Sequence, residues 1–230
     1  MCIRDRSDNV AIGKSALQNT TASDNTAIGS NAGASITTGT GNTAIGSIAL
    51  DAITTTSNNT AVGHQSLTNA TGGAGNTALG KATMTAVVTG SNNVAVGYTA
   101  LSANTSASNN TAVGYNALVV NSTGASNTAL GGESLKSNTT ASFNTGIGRF
   151  ALYLNTTGTR NTAVGYEALE GFTTADNNVV VGVSAAKSIT TEPGIIDETI
   201  SSVINTGAFL PGIRAVQITI SCFATVSDIN

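Results

Sequence analysis

A five-residue word, Asn-Thr-Ala-Val-Gly or a close spelling of it, recurs along this chain on a fixed period and leaves it few architectures. It opens at Asn9, Asn25, Asn42, Asn59, Asn76, Asn93, Asn110, Asn127, Asn144, Asn161 and Asn178. The first interval is sixteen residues, and each of the nine that follow is seventeen. Self-similarity at such a period marks a linear repeat architecture, in which each unit buries its apolar face against the next. Only 9% of residues are charged, a composition that often means polar disorder. The strict registration of apolar positions argues against that reading.

Counting the Asn as position 0, position 1 is Thr in eight copies and Val in three. Position 2 is Ala in nine, position 3 is always Ile, Val or Leu, and position 4 is Gly in all eleven. Position 8 is Leu in eight. The T-A-V segment is short, β-branched and bounded by Asn and Gly, which predicts a strand. A helix pair is excluded, because position 4 would put Gly inside every first helix. The expected fold is all-β: a parallel β-solenoid, or β-roll, of about eleven 17-residue coils. Each coil is expected to hold a strand of about five residues, a turn, a second extended stretch near positions 6 to 10, and a second turn. Strands stacked about 4.8 Å apart would give a rod roughly 50 Å long.

The columns assign parts to the word. Stacked amides at Asn59, Asn76, Asn93, Asn110, Asn127, Asn144 and Asn161 can hydrogen-bond up the rod as a ladder. The Gly column reflects either a backbone angle other residues resist or a close backbone approach. Positions 0 to 4 carry no charge in any copy, so both faces of the strand are expected to be buried. Positions 1 and 3 would pack on Leu at position 8 within the coil. The Ala-Gly face would then need another copy of the chain, which implies an oligomer.

The array spans residues 7–191. Residues 1–6 do not match it and are expected to be a truncated or artefactual start. Residues 192–230 follow the break at Glu192-Pro193-Gly194 and are expected to form a cap or transition segment. Between Asn9 and Thr191 six basic residues balance six acidic ones without a basic stripe, which argues against nucleic-acid binding. No apolar run approaches the roughly 20 residues of a membrane span, so no membrane insertion of this segment is expected. Cys2 and Cys222 lie outside the array and have no metal spacing. His64 is the only histidine, which leaves no metal site or His-dependent triad. The glycines follow no phosphate-binding pattern, and no cofactor or catalytic residue is expected.

Position 5 holds His64, Tyr98, Tyr115, Arg149 and Tyr166, a row expected on one exposed edge and suited to recognising a sugar or protein surface. The plainer reading is that these side chains cover a turn. Glu133 and Glu167 share a column two coils apart, about 10 Å by coil spacing. That suits an inverting glycosidase pair, though a solvated surface explains it better. Stacked Thr pairs at positions 12 and 13, such as Thr37-Thr38, Thr139-Thr140 and Thr156-Thr157, could order water and bind ice. Neighbouring strand residues point to opposite faces, however, so Thr at a turn is the ordinary explanation.

The copies NTAVGYNALVVNSTGAS from Asn110 and NTAVGYEALEGFTTADN from Asn161 resemble NTAxGYxALxxNTTG repeats of phage tail-fibre and bacterial surface proteins. They are similar to the β-roll heads of trimeric autotransporter adhesins. Over residues 7 to 191 the resemblance implies a homotrimeric, left-handed parallel β-roll, extracellular, on a virion tail fibre or bacterial cell surface. It also implies a structural, adhesive role toward a host cell-surface glycan or protein, without enzymatic activity. The alternative function is an ice-binding β-solenoid acting through the stacked Thr columns.

Overall fold

The computed structural model describes residues 8–188, Thr190 and the strand Ile196–Asp197. The expected foreign start at 1–6 lies outside the described residues, as does all but that strand of the expected cap. The chain is a parallel β-solenoid of about ten turns, with no helix among the described residues. Its three-residue strands run from β1 (Val10–Ile12) through β7 (Thr111–Val113) to β11 (Val179–Val181), followed by β12 (Ile196–Asp197). They pair in parallel, each with the next, as one sheet. Register is kept residue for residue, as in Thr111↔Thr128, Ala112↔Ala129 and Val113↔Leu130.

The strands stop at three residues because Gly at position 4 turns the chain. These glycines hold φ between 128° and 144°, where L side chains are strained. A Cβ on Gly114 would also lie 2.5 Å from the Gly131 carbonyl oxygen of the next coil. Both explanations of the Gly column therefore hold together.

The two faces of the strand are the reverse of the sequence expectation. Ala112 and the other position-2 alanines from Ala27 to Ala163 are fully buried, packed in one core with Leu118 and the other position-8 leucines. The aliphatic residues of position 3 face outward: Ile12 is 49% exposed, Leu79 and Leu130 46%, and Val181 55%. The coil is too narrow to hold a branched side chain opposite Leu. Alternation along the strand does the rest, since admitting position 2 turns positions 1 and 3 to the outside.

The expected second extended stretch is replaced by a turn. Position 6 (Asn116, φ 52°) and position 8 (Leu118, φ 51°) both adopt left-handed conformations, and so do their counterparts in the other coils. A left-handed L residue costs about 1–2 kcal/mol. At position 8 two gains offset this. The Leu118 N–H donates to the Ser134 carbonyl of the next coil at 3.1 Å, and the side chain is fully buried, which contributes about 1.5–3 kcal/mol.

Three side-chain columns tie coil to coil. At position 0, each Asn Oδ1 accepts the backbone N–H of the next Asn, as in Asn127 N–H to Asn110 Oδ1 at 2.9 Å. The Asn110 Nδ2 closes its own coil on the Gly124 carbonyl at 2.9 Å. The second column, at position 11, reads Ile36, Ile53, Ala70, Val87, Asn104, Asn121, Asn138, Asn155 and Phe172, and all of it is buried. Its amides form their own ladder, with Asn138 Nδ2 to Asn121 Oδ1 at 2.8 Å and Asn155 Nδ2 to Asn138 Oδ1 at 3.0 Å. The ladder ends under Phe172, where Asn155 Oδ1 is buried without a hydrogen-bond partner. The third column, at position 15, uses hydroxyls as acceptors: Ala125 N–H reaches Ser142 Oγ at 3.0 Å.

Candidate functional site

Position 5 follows directly on the turning glycine, so its side chain leaves the coil at the edge of the strand face. His64, Tyr98, Tyr115, Arg149 and Tyr166 are all exposed and form one row along the rod. Tyr98 and Tyr115 stack, with ring centroids 6.0 Å apart and planes within 6°. The Lys81 ammonium sits 6.0 Å from the Tyr98 centroid. At the next coil the row is broken by Gly132. Beyond it the Arg149 guanidinium lies over the Phe150 ring at 4.3 Å. Phe150 meets Tyr153 edge-on at 5.3 Å and Tyr166 at 6.2 Å. The row is thus two clusters separated by a gap, and His64 joins neither among the described residues.

Positions 6 and 9 supply partners that residue-by-residue reading of position 5 did not find. Lys136 at position 9 donates to Glu133 Oε2 at 2.7 Å and to the Tyr153 hydroxyl at 3.1 Å. Lys187 bridges Glu167 at 2.8 Å and Glu170 at 3.0 Å. The signal for these was present, because nine of the twelve charged residues between Asn9 and Thr191 fall at positions 5, 6 and 9.

The two carboxylates two coils apart are each engaged by a lysine. Lys187 above all, with the Tyr166 and Ser184 hydroxyls, holds Glu167 below its ordinary value. A general acid in an inverting pair needs the opposite shift. Both carboxylates are half-buried and each is taken up by a lysine.

The hydroxyls of the Thr columns split by position. At position 12 they are used internally: Thr139 Oγ1 donates to the Thr156 carbonyl and Thr156 Oγ1 to the Thr173 carbonyl, at 3.1 and 3.0 Å. Position 13 is exposed at Thr140 and Thr157. The strand face carries a second Thr column at position 1, which includes Thr111, Thr128, Thr145 and Thr162. Its hydroxyls make no hydrogen bond among the described residues. Beside them runs the outward aliphatic column of position 3. The result is an uncharged stripe along the rod.

Among the described residues no group of His, Cys, Asp and Glu could hold a metal ion, and no helix is long and apolar enough to cross a membrane. Comparison of the chain with protein-family models, curated proteins and solved structures finds no match.

Proposed function

We propose that the chain is a non-catalytic, extracellular fibre module of a phage tail fibre or bacterial surface adhesin. In this reading three copies pack through the strand face and present the position-5 edge to a host-surface glycan or protein. The observation that carries the proposal is the uncharged stripe of outward position-1 and position-3 side chains from Val10 to Val181, exposed at Ile12, Leu79, Leu130 and Val181, among others, and half-buried elsewhere. A continuous stripe of aliphatic and Thr side chains without a charge fits an interaction surface.

Three copies follow from the resemblance of the repeat word to trimeric β-roll heads, since the area buried per copy is the same for two or for three. A stripe about 50 Å long and about 10 Å wide presents about 500 Å² per copy. Two stripes face to face bury about 1,000 Å² in one contact, the lower limit for a specific interface, and three on a common axis bury about 1,500 Å² shared among three contacts. Light scattering on the full chain is expected to give three times the chain mass. Val113→Glu, placed mid-stripe, is expected to dissociate the assembly and leave the β-solenoid circular dichroism intact. A monomeric wild-type chain would overturn the proposal.

One observation favours a second reading. The free Thr hydroxyls at position 1 stand in register from coil to coil, so ice binding would act through the strand face and not through positions 12 and 13. Thermal hysteresis that disappears in Thr111→Lys/Thr128→Lys supports that alternative. Copies packed through the stripe would cover the array and show none.

A further inference from the structure

The gap in the position-5 row is a feature that the backbone does not require. The position-4 glycines have positive φ and no room for a Cβ. Gly132 has neither restriction: a Cβ there would meet only the Tyr115 carbonyl oxygen, at 4.0 Å. Every other copy carries a side chain at this position. Omitting one leaves a notch floored by Gly132, with the Tyr115 ring on the rung below and Arg149 on the rung above. Two coil spacings separate those rungs, about 10 Å. A saturated ring touching both sides at about 4 Å per contact fits that width.

Glu133, next to Gly132, is taken up by Lys136 at 2.7 Å, and the other groups around the notch select its occupant. One face of Tyr115 stacks on Tyr98, which leaves the other turned to the notch, and the residue is 53% exposed. An aromatic face of this kind takes the apolar C–H face of a pyranose. Arg149 has no carboxylate partner among the described residues, since its guanidinium lies on the Phe150 ring. Its planar fork suits a carboxylate. Asn116 accepts the Thr99 hydroxyl through Oδ1, and its Nδ2 makes no hydrogen bond among the described residues. We infer that the notch over Gly132 binds one carboxylate-bearing pyranose of a surface polysaccharide. The ring stacks on Tyr115, the carboxylate meets Arg149, and a ring hydroxyl accepts from Asn116.

The inference rests on the adhesive-fibre reading only for the source of the sugar, so the two can fail separately. Calorimetric titration of the full chain with oligomers of galacturonate, glucuronate and sialic acid, and with their methyl esters, tests it. An acidic oligomer is expected to bind and its ester to bind about tenfold more weakly. Gly132→Tyr completes the row and is expected to weaken binding by about tenfold or more, with melting temperature and solution mass unchanged. Arg149→Gln is expected to abolish the preference for acid over ester. Failure of every acidic oligomer to bind, or binding that Gly132→Tyr leaves unaltered, would overturn the inference. Trimeric mass without binding removes the notch and keeps the fibre. Binding by a monomer does the reverse.

Discussion

Asn76→Ala should destabilise the rod more than Asn110→Ala, although the two residues occupy the same column and are both fully buried. Either substitution strands one backbone donor. Asn93 N–H loses Asn76 Oδ1 at 3.0 Å, and Asn127 N–H loses Asn110 Oδ1 at 2.9 Å. The amides above keep a partner in both cases, because Asn93 Nδ2 still reaches the Ala107 carbonyl and Asn127 Nδ2 the Ala141 carbonyl. The difference lies in the carbonyl that closes the coil. Gly124 O also accepts from Asn121 Nδ2 at 2.8 Å, so it stays satisfied without Asn110. Gly90 O accepts only from Asn76, since position 11 of its coil is Val87. An orphaned buried polar group costs about 1–3 kcal/mol. Asn110→Ala should therefore cost about 2 kcal/mol, with one orphan, and Asn76→Ala about 4 kcal/mol, with two. Urea unfolding with matched m-values measures both. In an Asn121→Val background, Asn110→Ala should cost as much as Asn76→Ala. Equal costs in the unmodified background would refute the reasoning.

Gly114→Ala, at φ 135° with a Cβ 2.5 Å from the Gly131 carbonyl oxygen, should lower stability by more than about 3 kcal/mol. Gly132→Ala, without strain or clash, should change it by less than about 0.5 kcal/mol, as urea midpoints would report. Glu167 is held below its ordinary value of 4.5 and Lys187 above 10.5, each mainly by the other. The pair's contribution to stability is therefore complete between those ordinary values. It is lost as pH falls through the depressed Glu167 value, or rises through the elevated Lys187 value. Lys187→Met should move the Glu167 carboxyl titration, followed by NMR, upward toward 4.5. Gly146→Ala places a Cβ 2.6 Å from Ser134 Oγ and should cost about 1–3 kcal/mol by overpacking. Ser134→Ala in the same chain should recover much of that loss, and additive costs in the double variant would contradict the packing.

What could be read beforehand depended on whether a column repeats one residue type. The Asn of position 0, the Gly of position 4 and the Leu of position 8 recur often enough to show strand, turn and core. Position 11 is just as buried, but it passes from Ile36 through Ala70 and Asn104 to Phe172, and no residue type marks it. The position-15 column was hidden for a related reason: its bond runs from a backbone N–H in one coil to a hydroxyl in the next. Leu118 in a left-handed conformation contradicts local propensity, and the bond to the following coil that sustains it is set only on stacking. At the candidate site the exposed row was legible because charges and tyrosines share position 5. Its division into two clusters was not, since Phe150 and Tyr153 enter from positions 6 and 9. Gly132 stands one column past the turning glycines in the sequence, but the open space above it shows only in the folded chain.

Taking hydrophobicity as a sign of burial put the wrong face of the strand inside, because interior places in so thin a coil go to residues by volume. Gly33 replaces Leu at position 8, and the space is filled by Ile36 and Leu17, whose side chains a Cβ on Gly33 would meet at 2.9 and 3.1 Å. Gly146 replaces Ala at position 2 where Ser134 replaces Ala at position 7, and the Ser134 hydroxyl bonds the Gly146 carbonyl at 2.9 Å. At these two places the excess is matched by a deficit next to it, whereas Ser66 bonds the Ala78 carbonyl at 3.1 Å with the alanine kept. An interior already filled by Ala, Leu and the position-11 residue has no room for a branched side chain from every strand. Yet position 3 is Ile, Val or Leu in every copy, and no copy places there the Lys, Glu or Ser that an outward position would tolerate. Aliphatic side chains held outside a full core, in line from coil to coil, gain stability only when something covers them. A second and third copy of the same stripe offer that cover without placing a charge opposite it.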